Sequence, residues 1–209
     1  MRRVNVDVEG FANALGEDIY DPLLSLLKHE DEAVPLLAAQ VLTILPPTLP
    51  VPLLKTYFQW INTLCEKPHT SMQDLAVQYF AGALKTSRNR LVFWGEKCST
   101  EVVEILKTKK DLQLQYHTLL VVWLIAFETK IAKELNKRHD IIPILVDISK
   151  TAIKEKINRL VIGIFRVRPF VFLMANPEFG QKCSGGESAS YGRCQAIAIH
   201  QDLIGEKVD

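Results

Sequence analysis

The sequence lacks the patterns that usually mark a metal site or a disulfide framework. Its four cysteines, Cys65, Cys98, Cys183 and Cys194, are far apart, and no C-x-x-C pair occurs. None of the five histidines stands at metal-ligand spacing, such as H-E-x-x-H, from a second ligand residue. We therefore expect free thiols of a cytosolic protein, with no metal and no cofactor.

Nucleotide-binding loops and nucleophile motifs are also missing. Gly180 and Gly185 have the spacing of a phosphate loop, but Gly186 stands where that loop requires lysine. No G-x-S-x-G sequence occurs. The acidic run at residues 30–32 is typical of a solvated turn. The sequence thus predicts no catalytic residues and a protein that is not an enzyme.

Long hydrophobic runs and a strong charge of one sign are absent as well. No stretch approaches the roughly 20 uninterrupted apolar residues of a membrane helix, and the acidic N-terminus is not expected of a secretory signal. Residues 1–60 carry 4 basic and 8 acidic side chains, whereas residues 105–160 carry 11 basic and 6 acidic ones. This polarity suits a protein partner, and it predicts neither nucleic-acid binding nor direct membrane insertion.

What the sequence does contain is a repeat of about forty residues. Four segments have apolar residues at offsets 0, 3, 4, 7, 8 and 11, which define one face of an α-helix. Only Gln115 and Lys156, both at offset 3, break the pattern. Successive segments start 38, 40 and 41 residues apart, a period typical of armadillo and HEAT repeats. The segments start at Val34, Met72, Leu112 and Ile153.

The repeat predicts a set of paired helices. We expect inner helices over 34–45, 72–84, 112–127 and 153–165, each preceded by a shorter apolar helix. Asp21 before Pro22 is predicted to start the first short helix, and Ser71 with Asp74 to open the second inner helix as a capping box. The proline-rich segment PPTLPVP, residues 46–52, is predicted to be non-helical. The short helices are DPLLSLLKH, YFQWINTLC, EVVEILKT and DIIPILVDISK.

The predicted fold class is all-α: an armadillo/HEAT-like, right-handed α-solenoid of about four helical repeats with an irregular C-terminal tail. The domain boundaries are a lead-in at 1–19, the repeat domain at 20–166 and a divergent, poorly ordered tail at 167–209. That tail contains prolines and glycines and has no sustained helical period before its last residues.

The third inner helix, LQLQYHTLLVVWLIAF, is apolar on every side in its second half. Such a helix must be covered on all sides by other protein, so the neighbouring repeats are expected to enclose it. Tyr116 and Trp123 are therefore interpreted as core anchors, and His117 as a surface residue off the apolar face.

Two short basic runs, KTSRNR at 85–90 and KTKKD at 107–111, follow helices in successive repeats. They could lie along one edge of a solenoid and contact an extended partner, which makes Arg88, Arg90, Lys109 and Lys110 the candidate partner-binding residues. Cations at helix C-termini, favoured by the helix dipole, are an equally good interpretation.

Longer segments carry a family resemblance. LQLQYHTLLVVWLIAFETKIAKEL followed by DIIPILVDISKTAIKEKINRLVIGIF resembles the H subunit of the vacuolar-type proton-pumping ATPase (V-ATPase). QDLAVQYFAGALKTSRNRLVFW followed by VVEIL is similar to the preceding repeat of that family, especially in fungal members. The resemblance covers about residues 20 to 166. It implies a partial or alternatively spliced chain, because the family has further repeats on both sides.

The resemblance also implies a function. A protein of this family is a non-catalytic regulatory and assembly subunit of the soluble V1 sector, and it supports ATP-driven proton transport by docking on the peripheral stalk. The expected partners are other subunits of that sector, on the cytosolic face of the vacuolar or another acidic-organelle membrane. The alternative is a generic armadillo-type adaptor that binds a peptide or a trafficking partner.

Overall fold

A computed structural model describes residues 20–44, 49–108 and 111–167, and every regular element within these ranges is an α-helix. The predicted lead-in at 1–19 and nearly all of the predicted tail lie outside the described residues. The chain divides into an N-terminal unit, residues 1–101, and a C-terminal unit, residues 102–209. In chain order the helices are α1 (Tyr20–Leu26), α2 (Ala33–Ile44), α3 (Val51–Cys65), α4 (Thr70–Ala83), α5 (Ser87–Gly95), α6 (Ser99–Thr108), α7 (Leu112–Ala126), α8 (Thr129–His139), α9 (Ile141–Thr151) and α10 (Glu155–Arg166).

The four inner helices predicted from the repeat are confirmed as α2, α4, α7 and α10. Two predictions about how these helices begin were wrong. The predicted capping box at Ser71 and Asp74 is not formed: His69 precedes α4 without a side-chain cap, and Asp74 instead accepts a hydrogen bond from Gln78 at 2.8 Å. Ile153 lies before α10 and is 87% exposed.

Helix α3 begins earlier than predicted. Val51 and Pro52 belong to its first turn, so the segment 46–52 is helical at its end. Proline is tolerated there because the first amides of a helix have no partner within it. Residues 45–48 lie outside the described ranges. Asp21, expected as the N-cap of the first short helix, lies inside the first turn of α1.

Two helices, α5 and α8, were not predicted, so the repeats contain more than helical hairpins. Helix α5 buries only Asn89 and Phe93, and Leu91 is 51% exposed, which leaves little periodic signal. Helix α8 has that signal: its buried residues recur at helical spacing, and its last turn is basic. Its buried residues are Ile131, Ala132, Leu135 and Asn136.

The core of the N-terminal unit is an aromatic cluster. The ring of Phe58 on α3 lies 5.8 Å from that of Phe80 on α4 and 5.9 Å from that of Phe93 on α5. Phe80 and Phe93 meet edge to face at 4.9 Å, and all three side chains are fully buried. Edge-to-face contacts are favoured by the ring quadrupoles, and they fix α5 against the hairpin of α3 and α4.

Helices α2 and α4 run side by side in the same direction. The hydroxyl of Tyr79 donates to the carbonyl of Leu36 at 3.0 Å. One turn further along α4, a Cβ built on Gly82 would collide with Cγ2 of Thr43, so only glycine permits this approach.

In the C-terminal unit, α7 packs along α10 and against α8. The interpretation of Tyr116 and Trp123 as core anchors was wrong, because both are only partly buried. The buried face of α7 is rotated from the predicted one, since apolar side chains surround the helix and its own pattern does not show which of them meet a neighbour. The buried residues are Leu114, Thr118, Leu119, Val121, Val122, Ile125 and Ala126.

Helix α7 is also capped in a way that the sequence pattern did not reveal. The carboxylate of Asp111 accepts hydrogen bonds from the amides of Gln113 at 3.0 Å and Leu114 at 2.9 Å. Such a cap satisfies amides that have no partner within the helix and fixes the residue at which it starts.

Candidate binding surfaces

The structure describes two of the four predicted partner-binding residues, and both hold backbone carbonyl groups. Arg88 on α5 donates through Nη2 to the carbonyl of Leu49. Arg90 donates through Nη1 to the carbonyls of Leu84 and Lys85, both at 3.3 Å, at the end of α4. Arg88 therefore ties α5 to the segment just before α3, and Arg90 stabilises the link between α4 and α5, whatever else the two side chains contact. Lys109 and Lys110 lie outside the described residues.

A carboxylate beside α5 is held by two groups of α3. Glu96 accepts a hydrogen bond from Gln59 at 2.8 Å and lies 3.0 Å from Nζ of Lys55. The hydrogen bonds from Gln59 and Lys55 lower the pKa of Glu96 from its ordinary value. This polar contact ties α3 to α5 at the rim of the aromatic cluster.

The second surface lies in the C-terminal unit, where α7 and α10 run side by side. We call it the α7–α10 surface. Residues forty apart in the chain face each other across it, which is the length of one repeat: 116 faces 156, and 123 faces 163. It consists of Gln113, Tyr116, Trp123 and Phe127 from α7 and its C-cap, and Lys156 and Gly163 from α10.

One end of the α7–α10 surface is polar. Nζ of Lys156 lies 4.6 Å from the centre of the Tyr116 ring and donates to Oε1 of Gln113 at 3.3 Å. Nε2 of Gln113 also lies 3.1 Å from Nε2 of His117. The partners of Lys156 are thus an aromatic ring and a side-chain amide, and no carboxylate among the described residues pairs with it. A lysine held in this way keeps its charge available to an anionic group.

The other end is apolar and aromatic. The rings of Trp123 and Phe127 lie 5.5 Å apart, and Phe127 is 50% exposed. A Cβ on Gly163 would lie 3.4 Å from Nε1 of Trp123, so the indole lies against the bare backbone of α10. Large aromatic side chains in partly exposed positions are typical of protein interaction sites.

Sequence reasoning missed this surface, although one signal for it was present. The two polar interruptions of the repeat, Gln115 and Lys156, occupy the same offset in neighbouring repeats. A polar residue at an otherwise apolar helical position indicates a side exposed to solvent. Phe127 had no such signal, because it ends an apolar run in the sequence.

The described residues contain no arrangement suited to metal binding, and their cysteines are buried. No cluster of three or more histidine, cysteine or acidic side chains that could hold a metal ion occurs in residues 20–44, 49–108 and 111–167. Cys65 and Cys98 are buried and free. Burial raises the pKa of both thiols, that of Cys98 to about 12, so they are poor nucleophiles. Cys183 and Cys194 lie outside these ranges.

Among the described residues of the N-terminal unit, a cleft with a volume of about 190 Å³ lies between α2 and α3. Pro35 and Leu36 line one side, and Trp60 and Leu64 the other. His29, Glu32 and Lys67 also border it. Among the helices of the described ranges, none is both long and apolar enough to cross a membrane.

Comparison with solved structures defines the class of protein. A designed armadillo repeat protein in complex with the peptide (KR)4 is similar with a TM-score of 0.63 and 12% identity, over 92% of this chain and 84% of that one. An engineered protein is similar with a TM-score of 0.62 and 14% identity, and the match covers 93% of this chain and 83% of that one. The fold is an armadillo-type α-solenoid, as the repeat predicted.

Comparison of sequences then defines the family. A model of the V-ATPase H-subunit family matches residues 5–167, and the chain belongs to that family. The H subunit of the V-type proton ATPase of Drosophila melanogaster is 26% identical over 159 residues, and the probable H subunit of Oryza sativa subsp. japonica is 27% identical over 178 residues. These matches cover 74% and 72% of this chain but only 34% and 39% of the two relatives.

Proposed function

We propose that this chain is a non-catalytic regulatory and assembly subunit of the soluble sector of a vacuolar-type proton-pumping ATPase. It docks on the peripheral stalk and supports ATP-driven proton transport at the cytosolic face of the vacuolar or another acidic-organelle membrane. The observation that carries the proposal is the family match over residues 5–167, a range that includes all the described helices. The match favours this role over that of a generic armadillo adaptor.

The arrangement of the described helices supports a binding role. An α-solenoid presents the side chains of successive repeats along continuous surfaces, and its function depends on the partners that these surfaces fit. Arg88 on α5 is exposed even though its guanidinium also holds Leu49. We propose that Arg88, Arg90, Lys109 and Lys110 contact an acidic region of the stalk.

The function is tested by capture of recombinant stalk subunits with the purified chain. We expect specific binding that weakens as salt is raised, because exposed charge pairs are screened. Failure of the folded chain to bind any of the stalk proteins would contradict the proposed function.

The contact residues need a separate test, because Arg88 and Arg90 also stabilise the fold. The double variant Lys109→Glu/Lys110→Glu should weaken stalk binding and reduce its salt dependence. Lys133→Glu/Lys137→Glu, with the same charge change on exposed positions of α8, is the matched control. Equal binding by the two double variants would refute these lysines as contacts while leaving the family role intact.

A further inference from the structure

We propose that the α7–α10 surface binds a short, extended peptide segment with an acidic residue three to five positions from a large apolar residue. Lys156 would meet the acidic side chain, and Trp123 with Phe127 would hold the apolar one. This inference rests on the geometry of the C-terminal unit and does not depend on the pump assignment.

The preference for an acidic segment follows from charge. Residues 111–167 carry nine basic and six acidic side chains. The acids closest in sequence to the polar end are engaged: Asp111 caps α7, and Glu155 pairs with Arg159 at 2.6 Å. Lys156 has only neutral partners among the described residues. An anionic group placed here would gain an ion pair without breaking one that already exists.

The spacing within the segment follows from helix geometry. Tyr116 and Trp123 are seven residues apart, and Tyr116 and Phe127 eleven residues apart, on α7 and its C-cap. At a rise of about 1.5 Å per residue these separations are about 10 and 16 Å. An extended peptide advances about 3.3 Å per residue, so about three to five residues join the two ends.

The apolar end can supply most of the affinity. Residues that dominate binding energy are enriched in tryptophan and tyrosine and lie in places where a partner excludes water. Trp123 and Phe127 are already in contact, and the indole lies against α10 at Gly163. A leucine or phenylalanine seated on them would bury ring surface that now faces solvent.

The test uses the full chain and fluorescein-labelled peptides followed by fluorescence anisotropy. The probe is GEGSGLFG, and its matched controls are GQGSGLFG, without the charge, GEGSGGGG, without the apolar anchor, and GKGSGLFG, with the charge reversed. We expect the probe to bind and each control to bind about tenfold more weakly or not at all. Equal binding of the probe and the glutamine control, or no binding of the probe at millimolar concentration, would overturn the proposal.

Variants of the protein locate the site. Lys156→Glu should weaken binding of the probe about tenfold and remove its preference over GKGSGLFG. The fold should tolerate this change, because Lys156 is exposed in the first turn of α10, where the helix dipole favours a carboxylate. Phe127→Ala should also weaken binding about tenfold.

The control variant is Lys133→Glu, which makes the same charge change at an exposed position of α8. It should leave binding of the probe nearly unchanged, and the far-UV circular dichroism of all three variants should match that of the unsubstituted chain. If Lys133→Glu weakened binding as much as Lys156→Glu, the peptide would be attracted by net charge alone, and the assignment to this surface would be wrong.

Discussion

At the scale of the single residue, two hydroxyls in the N-terminal unit, those of Thr43 on α2 and Tyr57 on α3, share one hydrogen-bond network. The hydroxyls of Thr43 and Tyr57 lie 2.7 Å apart, and both lie within 3.0 Å of the carbonyl of Ala39. Burial raises the pKa of Tyr57, so the phenol stays neutral and able to donate. Burying such a network costs little free energy when all its hydrogen bonds are made, and much when one member is removed and its partners are left unpaired.

The ion pair at Glu96 makes a prediction about pH. The pKa of Glu96 is lowered in the folded state by the hydrogen bonds from Gln59 and Lys55. The contribution of the Glu96 carboxylate to the free energy of unfolding is therefore complete above the unfolded-state pKa, about 4.3. This contribution is lost as the pH falls through the lower folded-state pKa. Glu96→Gln should reduce the free energy of unfolding by about 0.2–1 kcal/mol at pH 7, and by less as the pH is lowered.

Urea unfolding of Glu96→Gln and of the unsubstituted chain, at a series of pH values, checks this expectation. Glu104→Gln, at an exposed position of α6, serves as the control. A difference between the Glu96 variant and the unsubstituted chain that stayed constant from pH 7 to pH 3 would mean that the carboxylate charge contributes nothing.

The partial burial of Trp123 leads to a second prediction, about the free energy of unfolding. Phe80→Ala, in the fully buried aromatic cluster, should cost about 3–5 kcal/mol in the free energy of unfolding. Trp123→Ala should cost less, about 1–3 kcal/mol, because part of the indole already faces water. Chemical denaturation of both variants measures the two losses. Equal losses would place Trp123 in the core, as the sequence predicted.

At the scale of the element, two glycines occupy the same position in the second and fourth inner helices, ten residues after the start of each repeat segment. Each faces the inner helix of the preceding repeat, Gly82 against Thr43 and Gly163 against Trp123. The same residue type nevertheless has a different role in each. The approach at Gly82 is too close for any Cβ, whereas at Gly163 a Cβ would make an ordinary contact.

These two contacts predict opposite responses to alanine. Gly82→Ala should destabilise by about 1–3 kcal/mol, because Thr43 cannot move its methyl group without disturbing the hydrogen bonds of its hydroxyl. Gly163→Ala should be neutral or stabilising by up to about 1 kcal/mol, since alanine favours a helix. Thermal or urea unfolding distinguishes the two outcomes.

A double variant tests the cause of the first effect. Thr43→Ser removes Cγ2 and keeps the hydroxyl, so it should recover much of the stability lost in Gly82→Ala. If the double variant were as unstable as the sum of the two single variants, the contact between these side chains would not be the cause.

At the scale of the whole molecule, the chain has two compact units, each with its own core. In a repeat protein, stability is approximately the sum of contributions from each repeat and from contacts between neighbours. Phe80→Ala should therefore increase amide hydrogen exchange in α3, α4 and α5 more than in α7 and α10. Hydrogen exchange measured by mass spectrometry checks this, and an equal increase in all these helices would show that the chain unfolds as a single cooperative unit.

Much of the fold could be predicted, and little of the candidate surface. Local periodicity located α2, α4, α7 and α10, because apolar spacing on a helix is a property of the sequence itself. Helix α5 was not predicted, since only Asn89 and Phe93 are buried in it and its position is fixed by contacts with α3 and α4. The family resemblance was visible in segments of the second, third and fourth repeats, and a family match over residues 5–167 confirms it.

The amino-acid sequence by itself determined the helical class, the forty-residue period and the family, because each of these depends on residues close together in the chain or on their order. The tertiary structure alone decided which side of α7 is buried. Apolar residues surround that helix, so the face that meets solvent is set by where α8 and α10 pack. That choice left Tyr116 partly exposed beside Lys156, and Trp123 and Phe127 partly exposed further along α7, which together form the surface that we propose as a peptide site.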